Sequence, residues 1–436
     1  MKPHALAAAL GATLCAALAN AQTSKPPIDP AATDPAALGW MVGSPPPADK
    51  TIRFSDGSFY KFPQMRWSFA HWNELVPAND VWRGEGKVAE LPKAEHSGLD
   101  AVSFQSRAST PATLTWAQAL PGNFTDAVLV LHKGRIVYER YFGVMTPHTR
   151  HIAMSVTKSV FGTLAEMLVA EGKLDADAPV TQYIPELKDS GYAGVSVRQV
   201  MDMTTGIKFS ENYADPKAEF WTYVLAGGIS PRPAGYDGPK NFYEYAMTVK
   251  KDQEPGQAFA YQTVNADVVG WLVRRAAGRN VGELLSERIW SKLGVERDAM
   301  IAVDSGGNDF AGGGLLMTLR DMARFGEMIR LGGRFNGQVI LPQAVVDDIR
   351  KGGSKEAFAK AGYATLPGWS YRDMWWVSND DHGVFAARGI HGQTIYIDPK
   401  AEMVIARFGS APQAGNAAGD PVMLPAYRAI ADELMR

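Results

Sequence analysis

The stretch from Val156 to Glu171 constrains this chain more than any other. At about 100° per residue, Val156, Val160, Phe161, Leu164, Ala165, Met167, Leu168 and Val169 cover well over half of a helix circumference. A helix apolar that far round is enclosed by protein rather than laid on a surface. Gly172 stops it. Enclosing it takes at least one sheet or several helices, so the fold must be layered, and 436 residues suffice for that.

The flanking periodicities supply the layers. Ala127–His132 reads as a strand, Lys133-Gly134 as a turn and Arg135–Phe142 as the returning strand of a hairpin. Helical patterns cover Val197–Thr204, Asn265–Ala277 and Val281–Leu293, each followed by glycine. Thr318-x-x-Asp321 resembles a capping box opening Leu319–Leu331. Strands are expected at Gly383–Ile390, Thr394–Ile397 and Met403–Phe408, with an Asp398-Pro399 turn between the last two and a final helix over Leu424–Met435. With strands at both ends and helices between, the class is α/β (α+β): an antiparallel sheet flanked by helices, with a mostly helical insertion. The expected division is a discontinuous α/β domain over 51–165 and 305–436 and a helical domain over 166–304.

The N-terminus reads as an export signal over residues 1–21. Lys2 is the positive region, Ala5–Leu18 the apolar region, and Ala19-Asn20-Ala21 the cleavage site. Residues 22–50, rich in Pro, Ala, Asp and Ser, are expected to be a disordered tether. The chain's single cysteine, Cys15, lies in the signal, so a mature periplasmic or secreted chain has no thiol, disulfide or Cys-zinc chemistry. A formal net charge of −2 excludes a nucleic-acid binder, and no segment reads as a membrane span. A monomer or homodimer acting on a small molecule is expected.

Chemistry concentrates where the buried helix begins. Ser155-Val156-Thr157-Lys158 puts a hydroxyl and an amine one turn apart on one face. Burial lowers a lysine pKa, and the helix N-terminus favours developing negative charge. A second S-x-x-K, Ser58 to Lys61, runs from a turn into an expected extended segment and opens no helix. Tyr261-Gln262-Thr263 precedes a helix, and a phenol beside an ammonium can titrate below its usual value. Gly389-Ile390-His391-Gly392-Gln393 enters a strand whose glycines allow close approach and whose N–H groups could serve an oxyanion. By themselves, Tyr261 and His391 could equally be packing residues. There is no G-x-S-x-G, H-E-x-x-H, P-loop or G-x-G-x-x-G. His148 and His151 alone do not make a metal site, and neither metal nor cofactor is expected.

In this order, the three motifs resemble the penicillin-recognising serine hydrolases, which comprise class C β-lactamase-like enzymes, DD-peptidases and esterases. Arg66–His71, Met154–Ser159, Pro179–Leu187, Val264–Val268 and Gly389–Gln393 are similar to the 6-aminohexanoate-dimer hydrolase branch. The resemblance implies an acylated Ser155, with Lys158 and Tyr261 sharing proton transfer. It implies an oxyanion site of the Ser155 N–H and a strand N–H, from Ile390 or Gln393. It further implies a substrate-contacting Tyr213 on a mobile loop and Trp376 near the pocket. Thr263 stands where many relatives have Asn, and His391-Gly392-Gln393 where Lys-Thr-Gly is usual. His391 could replace that lysine as a carboxylate anchor only when protonated. Val224 and Gly312 occupy positions where the nylon-oligomer enzymes vary. The expected function is hydrolysis of amides or esters through an acyl-enzyme. The alternatives are a carboxylesterase, a DD-peptidase, a weak β-lactamase, or a catalytically silent binding protein of the same fold.

Overall fold

A computed structural model describes residues 28–436. The signal reading over 1–21 and the start of the expected tether lie outside the described residues. From residue 28 onward the tether is docked. The buried Arg66 guanidinium donates to Pro30 O (2.7 Å) and Thr33 Oγ1 (2.9 Å), and Trp40 and Met41 pack against an apolar cluster containing Ile52 and Phe59. Proline and polar content hid two anchor points that only distant residues supply.

The main sheet is antiparallel throughout. It contains β1 (Thr125–His132), β2 (Arg135–Tyr141), β3 (Ser370–Arg372), β4 (Trp375–Val377), β5 (Phe385–Arg388), β6 (Thr394–Asp398) and β7 (Met403–Gly409). Their order is β3-β4-β5-β6-β7-β1-β2, so C-terminal strands pair directly with the N-terminal hairpin. Lys133 and Gly134 both take positive φ (50° and 74°), the two-residue turn that matches strand twist. The β1 alternation sorts side chains by face: Ala127, Leu129 and Leu131 join the helical core, while Val128 and Val130 join a second core on the other side.

The helices of the described residues include α1 (Val156–Ala170), α2 (Val197–Met201), α3 (Glu219–Gly227), α4 (Thr263–Ala277), α5 (Leu319–Arg330), α6 (Gln343–Lys351) and α7 (Asp420–Leu434). Helix α1 is buried as its periodicity requires, and packs against α4 and the sheet. α5 covers one sheet face and α7 the other. Between α1 and Ala299 there are helices and turns but no named strand. A further four-stranded sheet of Ala78–Val81, Ala299–Ala302, Leu315–Met317 and His151–Ile152 went unread in the sequence, because its strands are at most four residues long.

Several boundaries differ from expectation, among them the end of the Val197 helix at Met201 rather than Thr204. The Val281 helix gives way at Ser286 to a wider π turn through Trp290. β5 stops at Arg388, because His391 adopts a left-handed φ of 63°. α7 starts at Asp420, with Pro421 in its first turn, where a missing N–H costs nothing. Ser58–Tyr60 forms a 3-10 turn rather than an extended segment.

Gly162 sets how closely α1 approaches the sheet. Any Cβ there would overlap the Asp373 carbonyl in the β3–β4 turn, while Ser159 Oγ donates to Met374 O at 2.6 Å. Gly162→Ala should therefore cost about 1–3 kcal/mol. Calorimetry should show a lowered Tm for the whole domain.

Candidate active site

Ser155 caps the N-terminus of α1, lifted by Met154 with a left-handed φ of 46°. The approach is pinned from both sides: Ala153 N–H donates to Leu315 O (2.8 Å) and Leu315 N–H to Thr157 Oγ1 (3.0 Å). One turn on, the fully buried Lys158 donates from Nζ to Ser155 Oγ (2.8 Å) and to Gly312 O (2.5 Å). Burial pushes the ammonium down to about 8, against the opposing charges of Glu211 and Asp267. The neutral amine, already beside the hydroxyl, is thus far more accessible than for a solvent-exposed lysine.

Gly312 transmits a second constraint. Its N–H donates to the buried Asp267 (3.2 Å), which also accepts from the Tyr223 hydroxyl, and its carbonyl holds Lys158. Burial pushes Asp267 up to about 7. A Cβ at Gly312 would meet Thr263, Phe310 and Tyr223, so only glycine brings this carbonyl to the lysine.

The Tyr261 ring lies with its centroid 5.1 Å from Lys158 Nζ, and its phenol faces Ser155. The phenol does not titrate below its usual value. Burial first, then the Glu211 charge, raise it well above 10, outweighing the Ser155 contact and Arg388. The Tyr261 phenol therefore keeps its proton in the resting site. Trp376 packs against Tyr261 with ring planes tilted by 30° and centroids 5.4 Å apart, and does not line the cavity.

Thr263, where relatives often have Asn, turns to Glu211. The carboxylate accepts from Thr263 N (2.6 Å), Thr263 Oγ1 (2.6 Å) and the Tyr213 hydroxyl. It ties the Tyr213 segment to the start of α4. Burial raises Glu211, and Lys158 pulls it back.

Of the four residues Ile390–Gln393, only Ile390 lines the cavity at Ser155. Gly389 makes this closeness possible: a Cβ there would lie 2.8 Å from Ala153 O and 3.0 Å from Ser155 N. The N–H groups of Ser155 and Ile390 donate to no protein acceptor among the described residues. His391 is buried behind, with Nδ1 on Ala411 O (2.7 Å) and Nε2 on the Tyr60 hydroxyl (3.2 Å). Burial takes it down to about 4, so it is neutral and cannot replace a cationic carboxylate anchor. Gly392 O accepts from Arg407, and Gln393 braces Ile390 O and both polar groups of Gly409.

About 740 Å³ of space, open solvent included, lies in the cleft at Ser155. Phe59, Tyr60 and Trp72 form one wall, Tyr213, Phe220, Trp221, Val224 and Ile229 another, and Phe310 the floor. Tyr60, Glu211 and Asp267 were not assigned from sequence. No spacing links them to Ser155, and only the tertiary fold brings them there. Glu166, Asp348 and Asp373 cluster elsewhere, but the Arg198 guanidinium already bonds or pairs with all three. His148 is exposed, and His151 pairs with Asp126.

A family model described as Beta-lactamase matches residues 116–424. The chain belongs to the β-lactamase family and is a hydrolase of amide or ester bonds. It is 37% identical over 356 residues to a 6-aminohexanoate-dimer hydrolase from Paenarthrobacter ureafaciens, covering 81% of this chain and 88% of that one. Esterase EstB from Burkholderia gladioli is 26% identical over 228 residues, covering 47% of this chain and 54% of that one. A solved structure from Bacillus anthracis, provisionally named a 6-aminohexanoate-dimer hydrolase, superposes with a TM-score of 0.80 at 31% identity, covering 89% of this chain and 99% of that one.

The Glu211 charge favours the ammonium form of Lys158. Glu211→Gln should therefore move the lysine titration further below about 8, read by NMR of 13C-labelled lysine.

Proposed function

We propose that the chain hydrolyses amides or esters through an acyl-enzyme on Ser155. The observation that carries this reading is a buried Lys158 amine 2.8 Å from the Ser155 hydroxyl, with its pKa lowered to about 8. The neutral amine takes the hydroxyl proton as Ser155 Oγ attacks the carbonyl carbon. The developing oxyanion is met by the free N–H groups of Ser155 and Ile390, with the α1 dipole behind them. Tyr261 passes a proton to the leaving amine or alcohol and recovers one from Lys158. A water activated by the same pair then releases the acid.

Linear amides of amino-acid-like oligomers and short carboxylic esters are the leading substrates, in keeping with the names of the two curated relatives. A DD-peptidase or β-lactamase role is disfavoured, since no cation among the lining residues could hold a substrate carboxylate. The cavity walls come from 51–165 and 305–436 on one side and 166–304 on the other, which supports a site between an α/β domain and a helical insertion. The N-terminal signal pattern supports a mature enzyme in the periplasm or outside the cell. Among the described residues no helix is long and apolar enough to cross a membrane.

Ser155→Ala should abolish covalent labelling by a fluorophosphonate and lower ester turnover by about four orders of magnitude. A catalytically silent binding protein would show neither labelling nor turnover in the wild type. Tyr261→Phe should lower kcat by roughly a hundredfold. Deprotonated Lys158 is the active form. In wild type, kcat/KM should therefore rise about tenfold per pH unit below the lysine pKa and level off above about 8.

A further inference from the structure

We infer that the cavity beside Ser155 receives the acyl half of the substrate, and that this half is an uncharged apolar chain rather than an amino- or carboxyl-terminated one. The inference rests on the acyl-enzyme reading above and narrows its substrates to esters and amides with an uncharged acyl chain, setting aside amino-acid-like oligomers whose acyl half ends in an ammonium.

The first argument is the chemistry of the walls. Phe59, Trp72, Phe220, Val224, Ile229 and Phe310 present hydrocarbon and aromatic surface, and no Lys, Arg, His, Asp or Glu lines the cavity. Apart from Ser155 itself and the small Ser230 hydroxyl, the polar side chains at hand are already paired. The Tyr60 hydroxyl meets His391, while the Tyr213 and Thr263 hydroxyls both turn to Glu211. The nearby carboxylates do not face the cavity: Glu211 has three donors, and Asp267 has Tyr223 and the Gly312 N–H. A substrate ammonium or carboxylate pushed into this space would lose water and gain no partner, a loss far greater than burial of a few methylenes recovers.

The second argument concerns which half enters. The leaving group must take its proton from the Tyr261–Lys158 pair, and neither of these residues lines the cavity. The residues that do line it at the reacting end are Ser155 and Ile390, whose N–H groups have no protein acceptor among the described residues and are free to meet a carbonyl oxygen. With the leaving group directed to Tyr261, the chain on the acyl side of the carbonyl is the one that occupies the apolar space. The overall reaction is ordinary hydrolysis, in which ester plus water gives acid plus alcohol.

The test uses the full chain and four ethyl or hexyl esters, with acid release followed by chromatography at pH 8. Ethyl hexanoate and hexyl acetate are isomers that place their long chain on the acyl side and on the alcohol side of the ester, respectively. kcat/KM should favour ethyl hexanoate by at least about tenfold. Ethyl 6-aminohexanoate and monoethyl adipate carry a charge at the far end of the acyl chain, and each should fall about a hundredfold below ethyl hexanoate. Equal or better use of either charged ester, or a preference for hexyl acetate, overturns the inference while leaving the acyl-enzyme intact. Hydrolysis of none of the four, or turnover unchanged in Ser155→Ala, overturns the acyl-enzyme reading itself.

Discussion

Everything at this site depends on a lysine held out of water. Lys158 is 1% exposed, and desolvation alone would make its ammonium costly. The fold compensates partially: Ser155 Oγ and Gly312 O accept from the amine, while Glu211 and Asp267 supply opposing charge at a distance. Full compensation would leave a permanent ammonium with no capacity to accept a proton. The residual deficit holds the group near 8, where it can cycle between amine and ammonium during one turnover.

The scaffold exists to keep that balance fixed. α1 is enclosed between α4 and the sheet, with Gly162 against the Asp373 carbonyl and Ser159 tied to Met374. Gly389 brings the β5 exit within touching distance of the Ser155 backbone. Asp267 fixes Gly312, and Gly312 fixes the lysine. Each contact joins segments far apart in the chain, so the geometry is set by tertiary packing rather than by loops free to drift.

The sequence made some of this legible and concealed the rest for physical reasons. The α1 periodicity, the Lys133-Gly134 hairpin and the strands near the C-terminus were readable because hydrophobic period and turn chemistry are local signals. The Ser155/Lys158 pair was readable because a helix puts i and i+3 together. The small sheet was not, since strands at most four residues long carry almost no period. The phenol of Tyr261 was misjudged in sign. Proximity to an ammonium suggests a lowered pKa, but burial and the Glu211 charge reverse it, and neither can be seen without the fold. His391 likewise reads as a potential cation in sequence and is a buried neutral brace in space.

Membership in the β-lactamase family leaves the chemistry of the substrate open, because the sequences it matches carry names as different as 6-aminohexanoate-dimer hydrolase, esterase and D-aminopeptidase. In this chain the cation that would hold a carboxylate is missing from the cavity, and the walls are apolar. The central claim is a covalent bond between substrate acyl group and Ser155. Peptide mass spectrometry of the full-length protein, acid-quenched during turnover of a slow ester, tests it directly. The account predicts an added acyl mass on the peptide containing Ser155 that disappears as substrate is exhausted. Rapid turnover with no acyl mass on that peptide, or with the mass on another residue, would contradict it.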